Sequence, residues 1–179
     1  MPNLNNKITL NGKRIYLQKL TVNDVGREYL SWLNDSEITQ FLEVRFNPPK
    51  NLVQLKNYVK EKNQSVNSVL FGIYHNDRNM IGTIKLEPID KNHKFAYIGI
   101  IIGDKNYHGQ NFGQESIEII CNYSKKYLNL DYLYAGCYSS NIASYKCFIK
   151  SDFVVSSVIK KYWMLKGKRE DHIILKKEL

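Results

Sequence analysis

The chain has 179 residues, a length that suits one domain built around one hydrophobic core. Its composition, 43% hydrophobic and 24% charged, excludes a disordered tail and a collagen-like fibre. The 26 Lys and Arg against 17 Asp and Glu give a formal charge of +9, which favours an acidic partner such as nucleic acid, anionic lipid or a phosphate-rich small molecule without choosing among them.

Membrane insertion, secretion and metal binding are not predicted. The longest apolar runs, such as Ile100–Ile102, are far shorter than the roughly 20 residues that span a membrane. Residues 1–11 lack the apolar segment of a secretory signal, so we expect a cytoplasmic protein. Cys121, Cys137 and Cys147 show no C-x-x-C spacing, which argues against both a disulfide framework and a metal site.

The first half of the chain predicts a strand, two helices and a meander of strands. Residues 1–12 are expected to form a loosely ordered arm before a strand over 14–17. Thr21 and Asp24 have the spacing of a capping box that opens a helix, and Pro48-Pro49 precede a second helix. The next three β-rich runs, separated by turn-like segments, are 69–74, 80–87 and 95–102.

The second half predicts one long helix and a strand–helix–strand–strand ending. Ile117, Ile120, Cys121, Ser124, Tyr127 and Leu128 recur at helical spacing. A strand over 133–138, a helix over 141–150 and strands near 162–165 and 172–175 follow. No repeat or linker divides the sequence, so we expect one domain over 1–179 with the order β-α-α-β-β-β-α-β-α-β-β.

The segment His108–Gly113 joins a predicted strand to the long helix. A glycine-bearing turn that runs into a helix N-terminus exposes backbone N–H groups beside the positive end of the helix dipole, which suits a phosphate or pyrophosphate. The two glycines could instead serve only to reverse the chain. Neither the G-x-G-x-x-G fingerprint nor a lysine-bearing Walker loop is present, so the nucleotide-binding folds do not fit.

This loop resembles that of the GNAT superfamily of acetyl-CoA-dependent N-acetyltransferases, in which Gln or Arg stands three residues before a Gly and five before a Gly or Ala. His108 takes the place of the Gln or Arg, Asn111 that of the central Gly, and Gly113 matches. Asn enters the left-handed region more readily than most residues, which makes the substitution at 111 tolerable.

A second GNAT-like pattern lies downstream and begins at Asn141. Ser144, Phe148, Lys150 and Phe153 fit it, while Asp152 takes the position of a helix-ending glycine. The element order over 14–175 is also that of the superfamily. The segment around Trp32 is similar to the branch that contains ribosomal-protein N-terminal, polyamine and amino-sugar acetyltransferases.

The resemblance implies an α+β GNAT fold, with one mixed and mostly antiparallel sheet flanked by helices, and acetyl-CoA as co-substrate. It implies that main-chain groups of Ile100, Ile101 and Ile102 bind the pantetheine arm. The other residues that it implies for the cofactor are His108, Gly109, Gln110, Asn111, Phe112, Gly113, Gln114, Asn141, Ser144, Phe148 and Lys150.

The resemblance also implies a direct attack of the amine on the thioester, assisted by a base and an acid. Where relatives often carry a glutamate, this chain has Tyr97, and Glu87 is a substitute that could act through one water. Phe148 replaces a common tyrosine acid, so Tyr138 or Tyr145 is considered instead, with Tyr138 preferred at the end of its strand. His108 could meet a phosphate oxygen or lie on a solvated loop.

The acceptor is the least predictable partner. The candidate residues for it are Trp32, Phe41, Glu43 and Arg45. The positive charge favours a nucleotide-linked amino sugar over a polyamine, while protein N-terminal acetylation and a non-catalytic CoA-binding module remain alternatives. We expect neither membrane nor nucleic-acid binding, because no recognised motif accompanies the basic charge; a homodimer is compatible with these expectations.

Overall fold

The computed structural model describes residues 8–179, in which eight strands and five helices follow one another along the chain. The strands are β1 (Thr9–Asn11), β2 (Ile15–Lys19), β3 (Val69–His75), β4 (Met80–Asp90), β5 (Phe95–Ile102), β6 (Tyr132–Tyr138), β7 (Val154–Leu165) and β8 (Lys168–Glu178). The helices are α1 (Arg27–Asn34), α2 (Ser36–Thr39), α3 (Leu52–Gln64), α4 (Phe112–Leu128) and α5 (Ile142–Lys150).

All eight strands belong to one sheet, in the order β1-β2-β3-β4-β5-β6-β8-β7. Every neighbouring pair is antiparallel except β5 and β6, which are parallel and are connected through α4. The expectation of an α+β fold with a mixed, mostly antiparallel sheet is confirmed.

Helices cover both faces of the central strands, so β3 is buried at almost every residue instead of alternating. On one face, Ile117 and Ile120 of α4 pack in a cluster that includes Phe71 and Ile84 of the sheet. On the other face, α1 and α3 contribute a second cluster of buried side chains, which comprises Leu20, Val25, Tyr29, Trp32, Leu33, Leu55, Val59 and Leu70. Within residues 8–179, no helix combines the length and apolarity that a membrane span needs.

Several local expectations differ from the structure. The capping box at Thr21 and Asp24 is present, but it closes a 3₁₀ turn, and α1 begins six residues later at Arg27. Tyr127, predicted on the buried face of α4, is 62% exposed, and Tyr123 takes the buried position. Part of the arm expected over 1–12 is ordered, because Thr9–Asn11 pair with β2; residues 1–7 lie outside the described residues.

Glu115, in the first turn of α4, joins that helix to the start of β2. Its Oε1 accepts hydrogen bonds from the backbone N–H groups of Lys13 and Arg14, both at 2.8 Å, and Ile15 at 3.3 Å. Its Oε2 accepts one from Arg14 Nε at 3.0 Å. Desolvation alone would raise the pKa of Glu115, but these hydrogen bonds outweigh it and hold the pKa below its usual value. The N-terminus of α4 is therefore fixed to the sheet by a carboxylate.

Replacing this carboxylate tests its contribution. We expect Glu115→Gln to lower the free energy of unfolding at pH 7 by about 1–3 kcal/mol, because a buried, charge-assisted set of hydrogen bonds is weakened. Since the pKa is lowered in the folded state, the stabilisation is complete above the pKa of the unfolded chain and is lost as the pH falls through the folded-state pKa. The free energies of unfolding in urea of the two proteins should therefore converge as the pH falls through the folded-state pKa of Glu115.

The control is Glu118→Gln, one turn further along α4. Glu118 is exposed, and within residues 8–179 the one hydrogen bond of its carboxylate is accepted from the side-chain amide of Gln114, at 3.1 Å. We expect a change below about 0.5 kcal/mol for this variant. An equal loss in both variants, or a loss at residue 115 that does not depend on pH, would contradict the assigned role of Glu115.

Candidate active site

A cleft opens where β5 and β6 separate. The two strands pair only at Phe95–Tyr132, Ala96–Leu133 and Tyr97–Tyr134. Beyond these pairs, β5 continues to pair with β4 and β6 with β8, but no longer with each other. One backbone edge of each strand therefore faces the gap. Because unpaired N–H and C=O groups need partners, this edge suits an extended ligand with amide groups of its own.

The loop between β5 and α4 follows directly after the part of β5 that is not paired with β6. Gly109 and Asn111 both have left-handed backbone conformations, with φ of 73° and 64°, and both are exposed. The left-handed conformation expected for Asn111 is confirmed, and Asn111 is the residue that precedes α4. The N–H groups of the first turn of this 17-residue helix point out of its end, where the helix dipole favours an anion. The loop and the unpaired edge of β5 therefore fit the diphosphate and pantetheine arm of CoA.

Side chains of the loop hold it in place. His108 Nε2 lies 2.8 Å from the carbonyl oxygen of Ile102, to which it donates a hydrogen bond. Gln110 donates to the carbonyl of Asn106 at 2.6 Å, and Gln114 donates to that of Lys150 at 3.2 Å. His108 is thus an exposed loop residue, as one of the two alternatives has it, and its ring also ties the loop to the end of β5. The contact with a phosphate oxygen stays a prediction.

Phe112 and Gly113, at the start of α4, are packed closely against neighbouring side chains. A Cβ on Gly113 would lie 3.2 Å from Cys147 Sγ of α5 and 3.9 Å from Cδ1 of Ile100. A side chain at 113 would therefore require the Cys147 side chain to shift, whereas the distance to Ile100 is an ordinary contact. The Phe112 ring is buried and lies under the Arg14 guanidinium at 4.3 Å.

The second predicted motif builds α5. Asn141 precedes this helix and its side-chain oxygen accepts a hydrogen bond from the backbone N–H of Ser144 at 3.2 Å. Phe148, implied as a cofactor contact, instead lies in the core with its ring 5.1 Å from that of Phe153. Lys150 is the exposed last residue of the helix, and Asp152 has the left-handed φ of 65° expected of a helix-ending residue.

Of the three proposed catalytic side chains, only Tyr138 lines the cleft. Tyr97 stacks on Tyr134 at 5.4 Å in the part of the sheet where β5 and β6 are still paired. Glu87 is hydrogen bonded to the ammonium groups of Lys62 and Lys85.

Glu87 is poorly suited to act as a base. Desolvation would raise its pKa, but the hydrogen bonds from Lys62 and Lys85 outweigh desolvation, and the pKa lies below the usual value. A general base works best with a pKa near the operating pH. Glu87 instead accepts a hydrogen bond from the ammonium group of Lys85, a residue that lines the cleft.

Of the four residues expected to bind the acceptor, two line the cleft and two do not. Phe41 and Glu43 line the cleft. Arg45 lies behind it and donates a hydrogen bond to the Tyr138 hydroxyl at 2.7 Å. Trp32 is buried away from the cleft, packed so closely on Gly103 that a Cβ there would lie 2.1 Å from the indole.

The cleft has a volume of about 800 Å³, and most of its lining residues were missed by the sequence analysis. Among them are Lys50, Tyr58, Lys85, Trp163 and His172. Lys85 could have been identified from the sequence, because it is the only charged residue in the segment from Ile81 to Leu86. Trp163 could not, because a bulge in β7 between Ile159 and Trp163, with Lys161 at a φ of 53°, sets the direction of its side chain.

A continuous aromatic wall closes the acceptor side of the cleft. The Tyr138 ring lies 5.6 Å from Phe41 and stacks on Trp163 at 5.3 Å, with an interplanar angle of 24°. His172 extends the wall, with its ring 5.0 Å from Trp163. The Tyr138 hydroxyl contacts two groups of opposite charge, because it accepts a hydrogen bond from Arg45 and also lies 3.4 Å from Glu43 Oε1.

Cations predominate around the cleft. Lys50 and Lys85 line the cleft together with the Glu43 carboxylate. Behind the lining, Lys62 bonds Glu87, and Arg45 bonds the Tyr138 hydroxyl. Desolvation would lower the pKa of Lys85, but its neighbours Tyr58 and Glu87 outweigh it, so the pKa is raised and the ammonium stays charged at neutral pH. In the part of the chain that the structure describes, no group of three His, Cys, Asp or Glu side chains is arranged to hold a metal ion.

Comparison with known proteins gives a family and related folds. The family model described as an acetyltransferase (GNAT) domain matches residues 14–154. A probable N-acetyltransferase of Bacillus subtilis strain 168, YjcK, is 26% identical over 172 residues, which covers 93% of this chain and 94% of that protein.

Two solved structures share the fold. The spermidine N-acetyltransferase of Vibrio cholerae, in complex with CoA and spermine, has a TM-score of 0.82 at 20% identity and covers 92% of this chain and 95% of its own. The ribosomal L7/L12 α-N-protein acetyltransferase RimL, in complex with CoA, has a TM-score of 0.86 at 15% identity and covers 96% and 98% of the two chains.

The backbone of Asn111 offers a test of the loop. We expect Asn111→Gly to keep the affinity for CoA within about threefold, because glycine adopts a positive φ without cost. Asn111→Val should weaken it by about tenfold, since a β-branched residue resists this conformation and the first turn of α4 is distorted. Isothermal titration with CoA measures both.

Asn129 provides a matched control at the other end of the same helix. It also has a left-handed conformation, with φ of 52°. Asn129→Val should cost comparable stability but leave CoA affinity unchanged. If Asn111→Val binds CoA as the natural chain does, the loop is not the diphosphate site.

Proposed function

Given that the chain belongs to the GNAT acetyltransferase family, a class of acetyl-CoA-dependent N-acetyltransferases, we propose that it acetylates the primary amine of a nucleotide-linked amino sugar used in polysaccharide synthesis. The observation that carries the choice of acceptor is the cleft itself, which has a surplus of cations and an aromatic wall. An anionic nucleotide with planar and ring-shaped parts fits both features.

The protein groups that hold the co-substrate are mostly backbone. When bound, acetyl-CoA supplies the activated acetyl group as a thioester. The N–H groups around Asn111 and Gly113 bind its diphosphate at the N-terminus of α4. The free edge of Ile100–Ile102 pairs with its pantetheine amides and aligns the thioester in the gap between β5 and β6.

Tyr138 is our candidate for the proton donor to the leaving thiolate. It lines the cleft at the end of β6, and Phe148, where relatives commonly carry a tyrosine, has no hydroxyl to donate a proton. The hydrogen bond from Arg45 stabilises negative charge on the phenol oxygen as the proton leaves. Asn141, Ser144 and Lys150 act indirectly, by building α5 beside the loop.

The acceptor lies between the 41–50 segment and the C-terminal hairpin. The ammonium groups of Lys50 and Lys85 attract its phosphates, and the rings of Phe41, Tyr138 and Trp163 pack against its planar parts. A polycation is repelled by the same surplus, although salt largely screens this repulsion beyond about 8–10 Å.

Two other acceptors have specific support. The Glu43 carboxylate lines the cleft and would attract a polyamine, the substrate class of the Vibrio cholerae relative. An acidic protein N-terminus would satisfy the same cations as a nucleotide, as RimL acts on a protein. Both are compared directly with the amino sugar in the first test.

Release of free thiol from acetyl-CoA is measured with UDP- and dTDP-linked amino sugars, acidic N-terminal peptides and polyamines. We expect the highest kcat/KM with a nucleotide-linked amino sugar, and a decrease as salt rises because the attraction is electrostatic. Turnover confined to polyamines would contradict the charge argument. CoA binding without transfer to any amine would support a non-catalytic CoA-binding module instead.

A pair of lysine variants locates the attraction. Lys50→Ala should raise the KM for the nucleotide about tenfold, because one charge-assisted contact is lost. Lys60→Ala removes an equally exposed charge on α3 that does not line the cleft, and should change nothing. Equal effects would mean that only the net charge of the protein matters.

The role of Tyr138 is tested by Tyr138→Phe. We expect kcat to fall about 100-fold with the KM for acetyl-CoA unchanged, because the variant keeps the ring stack and loses only the hydroxyl. Tyr145→Phe, at the competing candidate, should leave kcat within about twofold. A loss at Tyr145 and none at Tyr138 would assign the acid to α5.

A further inference from the structure

His172 lies on β8 at the edge of the cleft, and no role in binding or catalysis has been assigned to it above. Its cross-strand partners are Tyr138 of β6 and Ile159 of β7. The imidazole packs against the rings of Tyr162 at 5.3 Å and Trp163 at 5.0 Å. It therefore lines the cleft at the end of the aromatic wall.

The two ring nitrogens have different surroundings. Nδ1 is buried and has no hydrogen-bond partner within residues 8–179. Nε2 lies over Gly136, so close that a Cβ on Gly136 would come within 2.4 Å of it. The absence of a side chain at 136 is what lets the imidazole lie against β6, just past the point where β5 and β6 separate.

These surroundings select one form of the imidazole. Burial lowers the pKa of His172, since no partner compensates the charge, so the ring is neutral at pH 7. The titratable side chains beside it are the phenols of Tyr138 and Tyr162, while the adjacent Asp171 carboxylate is hydrogen bonded to Lys160 at 2.8 Å. A neutral imidazole has one N–H, and an orphaned buried N–H is rarer than an under-satisfied acceptor. The proton therefore lies on Nε2.

We propose that His172 is an acceptor-binding residue that donates an Nε2–H hydrogen bond to a hydroxyl oxygen of the amino-sugar ring. This inference rests on the proposed function. A neutral donor suits an uncharged hydroxyl, whereas the cations of Lys50 and Lys85 serve the phosphates. Trp163 beside it offers a flat apolar face for the sugar ring. Positioning of the sugar by His172 and Trp163 would present its amine to the gap between β5 and β6.

The first test does not depend on the acceptor. The ¹⁵N spectrum of the imidazole in the free, full-length protein should show a pyridine-type Nδ1 and a pyrrole-type Nε2, with the assignment made by comparison with His172→Gln. A pyridine-type Nε2, or an imidazolium at pH 7, would overturn the inference whatever the substrate is.

The second test uses UDP-glucosamine and calorimetry. His172→Gln keeps an amide N–H near the position of Nε2–H, so its affinity should stay within about threefold of that of the natural chain. His172→Phe keeps the ring but removes the donor and should bind about 10- to 100-fold more weakly. In turnover, the loss should appear in the KM for the sugar nucleotide and not in kcat or the KM for acetyl-CoA.

The control is His93→Gln, at an exposed residue in the turn between β4 and β5, which should change neither affinity. Equal losses in the Gln and Phe variants, or none in the Phe variant, would overturn the donor role. If the natural chain itself does not bind UDP-glucosamine, the proposed acceptor fails, and the role of His172 in binding it falls with that acceptor even where the ¹⁵N spectrum agrees.

Discussion

The separation of β5 from β6 after three residue pairs is the constraint on which the rest of the structure depends. A parallel pair that continued would satisfy its own backbone groups and leave no edge for a ligand. Here the sheet stays continuous below the gap, so the two edges are held rigidly while their N–H and C=O groups remain free. The proposed CoA contacts of Ile100–Ile102 are therefore main-chain groups, and they are compatible with side chains that pack against the core.

The loop and the helix that follow β5 are fixed to this gap from two sides. Glu115 joins α4 to β2, and His108 joins the loop to the carbonyl of Ile102. Gly113 allows α4 to approach α5 closely. Because these contacts are local and strong, the N–H groups at the start of α4 are already arranged before an anion binds, which reduces the entropy cost of binding.

The parts that could be predicted from the sequence are those governed by short-range rules. The long helix and the meander follow from periodicity and turn signals. The left-handed Asn111 and Asp152 follow from the resemblance to the family motifs, in which they stand at glycine positions. The parts that could not are those set by tertiary packing. Phe148 lies in the core because α5 places its ring against that of Phe153. Glu87 is hydrogen bonded to two lysines, one of which, Lys62 on α3, is distant from it in the sequence. Trp163 reaches the cleft only through a bulge that no local pattern announces.

The central claim is that the first-turn amides of α4 and the free edge of β5 together hold CoA. Hydrogen exchange of the full chain, followed by mass spectrometry with and without CoA, tests it directly. The account predicts slower exchange on CoA binding in peptides that cover 98–102 and 109–115, with no change in peptides that cover the C-terminal half of α4. Protection confined to other segments, with these two unchanged, would contradict it.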